Sequence, residues 1–228
     1  MPLSVVEIFH SLQGEGRLAG VPSVFVRLAG CPLRCRWCDT RYAWSDSAGR
    51  QYEVPELIRS VDQWACRYVV ITGGEPLVHA DLADVCRRLR AAGKHITIET
   101  AGIADPHDLE CDLMSISPKM RNSTPDDPKV ARLHELRRIN LPVLRRLIAS
   151  YDYQLKFVID SAEDMGEITQ LLADIDDIDP AAVMLMPQAE TRRELLDKSP
   201  MVAQLCTSTG LAFCQRLHIL LWDKKRGV

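Results

Sequence analysis

The sequence predicts an α/β fold, a partial and incomplete TIM-like βα barrel with a reduced number of helices. Three observations carry that expectation. Short β-rich runs alternate with helical patterns along most of the chain, which is the mark of parallel βα units. Only about ten residues separate the run at 95–102 from the run at 113–119, barely room for a crossover helix. Polar side chains also recur at one parity near the C-terminal ends of several runs. A strand covered on both faces by helices should be nearly continuous in apolar residues, so a shared polar parity favours a polar lumen near a barrel mouth.

The elements follow in order. "SVFVRLAG" (23–30) reads as the first barrel-type strand, 54–66 as a helix and "YVVITGG" (68–74) as the next strand. Leu82, Val85, Cys86 and Leu89 recur at helical spacing, with Asp81 as N-cap and Gly93 as stop, so 81–92 is a helix. "HITIETAG" (95–102) and "LMSISPK" (113–119) are strands. The stretch 120–139 is polar and Pro/Asp-rich at its start and reads as a loop or lid leading into a helix. Helix 140–151, strand "YQLKFVID" (153–160), helix 162–175, strand "VMLMPQ" (183–188) and helix 192–208 continue the alternation. "LAFCQRLHILLW" (211–222) reads as the last strand. The lumenal sets are Thr97 with Glu99; Ser115 with Ser117 and Lys119; Gln154 with Lys156; and Arg216 with His218.

The chain has 228 residues, 46% hydrophobic and 26% charged, the mix of a soluble globular protein. No repeat, low-complexity tract or linker divides it, and residues 1–228 are expected to form a single domain. A formal net charge of −3 argues against a nucleic-acid binder that relies on bulk positive charge. The N-terminus lacks a signal-peptide pattern, and no apolar stretch reaches the roughly 18 residues of a membrane helix. The expected location is the cytoplasm, where thiols stay reduced. Of eight cysteines, Cys66, Cys86, Cys111, Cys206 and Cys214 read as ordinary small apolar residues.

The other three stand in "GCPLRCRWCDT" (30–40) as C-x3-C-x2-C. Three thiolates are one short of a closed zinc site or an ordinary iron–sulfur cage. A [4Fe–4S] cluster held by Cys31, Cys35 and Cys38 would keep one iron open for a ligand, as catalytic metals keep an open position.

This motif, with Trp37 before its last cysteine, resembles the signature of the radical S-adenosylmethionine (SAM) superfamily. "ITGGEP" (71–76) resembles the same superfamily's SAM-binding turn. Taken with "EIFHSLQGEG" (7–16), "IETAG" (98–102), "SISPK" (115–119), "LKFVI" and "LMPQ", the chain is similar to the 7-carboxy-7-deazaguanine synthases from Glu7 to the closing "QRLHILLW". It has the short C-x3-C-x2-C loop, not the enlarged loop of some members. The resemblance implies conversion of 6-carboxy-5,6,7,8-tetrahydropterin to 7-carboxy-7-deazaguanine with loss of ammonia, on the way to deazapurines such as queuosine in tRNA. It also implies a [4Fe–4S] cluster, SAM that is cleaved to a 5′-deoxyadenosyl radical and regenerated, Mg²⁺, an external flavodoxin-like electron donor and a homodimer. No membrane and no direct nucleic-acid partner are expected.

Site residues carried by the resemblance fall into three groups. Cys31, Cys35 and Cys38 would hold the cluster and Thr40 the magnesium, which tolerates a sparse protein shell. Trp37, Asp39, Gly73, Gly74, Glu75, Ser117, Lys119 and Gln188 would face SAM. Leu12, Gln13, Gly14, Glu15, Thr72 and His218 would face substrate. Arg27, shortly before the cysteines, is the expected bidentate partner of the pterin carboxylate. Glu99 could reach either the SAM ribose or the substrate. Plainer readings stand beside these: an Arg27–Glu15 salt bridge, Thr40 as a helix cap, Lys119 as a solvated charge, and His218 as a satisfied core histidine. Rival functions are a glycyl-radical-enzyme activase and a non-catalytic iron–sulfur or zinc binding module.

Overall fold

The computed structural model describes residues 2–105 and 108–228. Nine strands form one sheet: β1 (Leu3–Leu12), β2 (Pro22–Leu28), β3 (Arg50–Tyr52), β4 (Tyr68–Gly73), β5 (His95–Thr100), β6 (Leu113–Ile116), β7 (Tyr153–Ile159), β8 (Val183–Pro187) and β9 (Ala212–Phe213). Their order is β3-β1-β2-β4-β5-β6-β7-β8-β9. β1 pairs antiparallel with β2 and β3, and β2 with β4 to β9 form a parallel run laid down in chain order. With β3 and β9 at its two edges, the sheet is a barrel that does not close.

Helices α1 (Val54–Val61), α2 (Leu82–Ala91), α3 (Pro128–Arg137), α4 (Leu141–Ser150), α5 (Asp164–Ile175) and α6 (Arg192–Thr209) fall between the strands, and α7 (Leu217–Trp222) follows β9. None falls between β5 and β6 among the described residues, as the short connection predicted.

Strand parity sorts the side chains. Val24, Val26 and Leu28 of β2, Val69 and Ile71 of β4, Ile96 and Ile98 of β5, and Leu155, Phe157 and Ile159 of β7 join one core. Val54, Leu57 and Val61 of α1 and Leu82, Val85, Cys86 and Leu89 of α2 close over it. The alternate positions, Arg27, Thr72, Glu99, Ser115 and Lys156, line a cavity on the other face. One hydrogen bond ties this polar face across neighbouring strands, Gln154 Nε2 to Ser115 Oγ at 2.8 Å.

Three expectations need correction. β1 and β3 are strands that the sequence pattern did not yield; β1 is well buried only over its first three residues, so its apolar signal is weak. The run 211–222 is not one strand but the two-residue β9 and the helix α7. A short apolar run carries no period that separates strand from buried helix. Arg216 and His218 therefore sit at the start of α7 and not on a strand.

The β1–β2 hairpin tip folds inward. Gly16 N donates to Cys214 Sγ (3.1 Å) and Arg17 N to Gln154 Oε1 (2.8 Å), which plugs the amino-terminal end of the partial barrel. Gly16 has φ +73°, and a Cβ there would lie 2.1 Å from Gln154 Nε2. The positive φ favours glycine, and a side chain there would have to displace the Gln154 amide.

Candidate active site

The cavity, about 480 Å³, opens at the carboxyl ends of the parallel strands. Cys31, Cys35 and Cys38 all line it. They lie on the loop after β2, which Gly30 starts at φ +89°. Gly30 N donates to Ala43 O (2.8 Å), Arg36 N to Ser123 O (2.8 Å) and Trp37 Nε1 to Asn122 O (2.9 Å). All three are free thiols. Burial pushes Cys31 up to about 12 and Cys35 up to about 11, and Cys38 is raised for the same reason. Metal binding at such thiols must displace protons. Among the described residues no three His, Cys, Asp or Glu side chains converge where a single metal ion could be held. Three cysteines bordering one cavity suit a cluster with several metals, each taking one thiolate.

The Gly73–Pro76 turn packs against this loop. Gly74 N donates to Leu28 O (2.9 Å) and Glu75 N to Gly30 O (2.8 Å). A Cβ on Gly73 would meet Leu28 O at 2.1 Å, and one on Gly74 would meet Gly30 O at 2.0 Å. The glycines thus admit the neighbouring backbone, and both border the cavity. The Glu75 side chain does not line it. Its buried carboxylate accepts from Leu77 N, Thr100 Oγ1 and Ala101 N at 3.1, 2.6 and 2.8 Å, tying the end of β4 to the end of β5.

A charged floor lies opposite. Lys156 Nζ meets Glu15 Oε2 at 2.8 Å and Glu99 Oε1 at 3.5 Å. Arg216 meets Glu15 Oε1 at 3.1 Å and Asp39 Oδ2 at 2.6 Å. Gln13 Nε2 donates to Glu99 Oε1 (3.2 Å). Burial alone would raise the Glu15 carboxyl, but Lys156, Arg216 and His218 together hold it far below the usual carboxylate range. Burial would likewise lower Lys156, yet Glu15 and Glu99 hold it charged. Burial lowers His218, which keeps its ring neutral at pH 7. That ring stacks so closely on Gly14 that a Cβ would touch Nδ1 at 2.1 Å.

On the side wall Arg27 Nε donates to Glu7 Oε1 (2.6 Å), and the Tyr42 hydroxyl donates to the same oxygen (2.8 Å). The salt bridge is therefore with Glu7 and not Glu15. Among the described residues no oxygen engages the two Nη groups of Arg27, which borders the cavity. Thr40 Oγ1 donates to Asp39 Oδ1 (2.7 Å) and caps no backbone N–H. Lys119 Nζ donates to Ser117 Oγ (2.8 Å) and lies 5.6 Å from the Trp37 ring centroid. Gln188 Oε1 accepts from Lys198 Nζ (2.6 Å), and Lys198 also pairs with Asp160. Thr72 lines the same cavity, whereas Leu12, the last residue of β1, does not.

Sequence reading placed Lys156 in the lumen by its parity but gave it no ligand, and left Glu7, Asp160 and Lys198 without a role at the site. These last three are joined to the site only by the fold.

An open βα sheet with three cysteines and a glycine turn at its carboxyl ends defines a radical SAM protein, and the radical SAM superfamily model matches residues 26–143. That superfamily implies a [4Fe–4S] cluster and SAM. A 7-carboxy-7-deazaguanine synthase of Rhodopirellula baltica is 41% identical over 229 residues, covering 99% of this chain and 88% of that protein. The synthase of Halobacterium salinarum is 42% identical, covering 97% and 91%. The crystal structure of QueE from Escherichia coli superposes with a TM-score of 0.75 at 26% identity, covering 96% of this chain and 95% of that one. The chain belongs to the 7-carboxy-7-deazaguanine synthase family.

Proposed function

We propose that this enzyme converts 6-carboxy-5,6,7,8-tetrahydropterin to 7-carboxy-7-deazaguanine with loss of ammonia, as a radical SAM carbon–nitrogen lyase of deazapurine synthesis. The observation that carries the reading is the meeting, in one cavity, of the three-cysteine loop with an arginine whose Nη groups have no acceptor among the described residues. Cys31, Cys35 and Cys38 would hold the cluster, which together with SAM would supply one-electron, hydrogen-abstracting chemistry.

The chain's own residues do the rest. Arg27 takes the substrate carboxylate through its Nη pair, while Glu7 and Tyr42 fix the guanidinium plane. Glu15, kept ionised and oriented by Lys156 and Arg216, accepts hydrogen bonds from the polar edge of the pterin together with Gln13 and the Gly14 backbone. His218 packs the substrate against that strip. Gly73, Gly74, Ser117, Lys119, Trp37, Asp39 and Gln188 serve SAM. Glu99, already held by Gln13 and Lys156, faces the junction of the two ligands. Thr40 would give a hydroxyl to Mg²⁺, an ion that tolerates few protein ligands.

Electrons come one at a time from an external carrier, and the working unit is a cytoplasmic homodimer. Among the described residues no helix is long and apolar enough to cross a membrane.

Anaerobic incubation of the reconstituted, reduced protein with SAM, Mg²⁺ and the carboxytetrahydropterin should release the deazaguanine acid and ammonia in equal amounts. SAM cleavage without either product would refute the substrate assignment.

A further inference from the structure

A chain of three charged residues behind the cavity wall ends on an amide that borders the cavity. Gln188 follows β8 and borders the cavity, whereas Lys198 on α6, Asp160 after β7 and Arg36 of the cysteine loop do not. Gln188 N donates to Ile159 O at 2.7 Å, which sets Asp160 and Gln188 at adjoining strand ends. Lys198 Nζ reaches both, donating to Gln188 Oε1 at 2.6 Å and to Asp160 Oδ1. The second Asp160 oxygen accepts from Arg36 Nη2 at 2.7 Å.

A side-chain amide has an accepting end and a donating end, and a free one can turn either toward a ligand. An ammonium can only donate. Lys198 therefore claims the carbonyl end of Gln188. Nε2 keeps two protons that find no acceptor among the described residues, so the amide is fixed as a donor toward whatever fills the cavity. Asp160 anchors the ammonium, whose side chain is 27% exposed and whose flexible stem would otherwise let it swing into water. Ion pairs this open to solvent add little to stability, so the stability of the fold gives little reason for the arrangement.

We propose that Lys198 is a positioning residue that sets the Gln188 amide to donate a hydrogen bond to an acceptor atom of SAM. The inference rests on the reading above that Gln188 serves SAM, and it adds a discrimination to it. The SAM atom that meets Gln188 must be an oxygen or nitrogen with a lone pair, and an analogue carrying a proton there is refused.

Isothermal titration of SAM into the anaerobic, cluster-loaded and unreduced protein tests this, alongside iron content and melting temperature. Gln188→Ala and Lys198→Met should each weaken SAM binding about three- to tenfold, the size of one neutral hydrogen bond. Together they should weaken it no further than Gln188→Ala alone, because a donor that is absent cannot be misdirected. Lys198→Arg keeps a donor for the carbonyl and should recover wild-type affinity. Iron content should stay at the wild-type level in all of these variants. Wild-type affinity in Lys198→Met, beside weakened binding in Gln188→Ala, would overturn the positioning role and leave the SAM reading standing. Additive losses in the double variant would overturn it equally, since Lys198 would then act independently of the amide. Unchanged affinity in Gln188→Ala, or a wild-type protein that binds no SAM, would overturn the inference together with the reading beneath it.

Discussion

Lys156 Nζ lies 2.8 Å from Glu15 Oε2, and the two side chains are only 3% and 15% exposed. Glu15 is on the hairpin tip after β1 and Lys156 is in the middle of β7, so the contact holds the tip inside the partial barrel. Removing one member of a buried ion pair strands the other charge, at a cost of roughly 3–5 kcal/mol. Lys156→Met should destabilise the apoprotein by about that much, softened by the remaining Arg216 contact. Lys156→Met with Glu15→Gln should cost less than the two single changes summed, by about 1–3 kcal/mol of coupling. Urea unfolding of the four proteins measures it. Strict additivity would mean that the pair does not act as a pair.

The same floor makes the fold sensitive to acid. His218 is depressed by burial below its ordinary value of 6.5, so the unfolded chain binds that proton more readily than the folded one. Stability from this residue is present above the unfolded value and is lost as pH falls through it. Glu15 adds a second loss at lower pH, below its ordinary 4.5, because its folded value is held far down by Lys156, Arg216 and His218 against the opposing effect of burial. The melting temperature should therefore fall from pH 7 to pH 5.5 and fall again below pH 4.5. His218→Gln should flatten the first decline and Glu15→Gln the second. Parallel curves for wild type and His218→Gln would show that His218 is not the group responsible.

Arg27 is fixed by Glu7 through one nitrogen and keeps its Nη pair for a ligand. A charge-assisted contact contributes about 1.5–3 kcal/mol, or roughly 10- to 150-fold in affinity. Arg27→Ala should raise the KM for the pterin by that factor. SAM cleavage in the absence of substrate should continue at the wild-type rate. Arg27→Lys should recover little, since a single ammonium cannot form the fork. Isothermal titration under anaerobic conditions gives the affinity directly, and unchanged binding would move the carboxylate partner elsewhere.

How much of this was legible in the sequence depended on separation along the chain. The cysteines, the glycine turn and the parity of Glu99, Ser115 and Lys156 are local patterns, and they were visible. Glu7 as the anchor of Arg27 was not, because the two meet only through the β1–β2 register, where they are cross-strand partners. β1 itself hides behind polar residues needed at its end. The buried His134 was obscured because α3 is a poorly amphipathic helix that exposes Leu133 and Leu136, so its buried face leaves no clear period. The run 211–222 looked like a strand because a short apolar stretch fits either element.

The last prediction concerns the backbone beneath the cysteine loop. A methyl on Gly74 would sit 2.0 Å from the Gly30 carbonyl oxygen and 3.0 Å from Cys31 N. Neither is the end of a flexible side chain, so Gly74→Ala must push the β4 turn away from the loop that begins at Gly30. Iron incorporation should fall together with melting temperature. Gly93→Ala is the control: its φ is +73°, but nothing lies within 4 Å of the added carbon. It should cost about 1–2 kcal/mol from backbone strain alone and leave iron content unchanged. Equal iron content in the two variants, at equal loss of stability, would mean that the close approach of Gly74 serves packing and not the geometry of the cysteines.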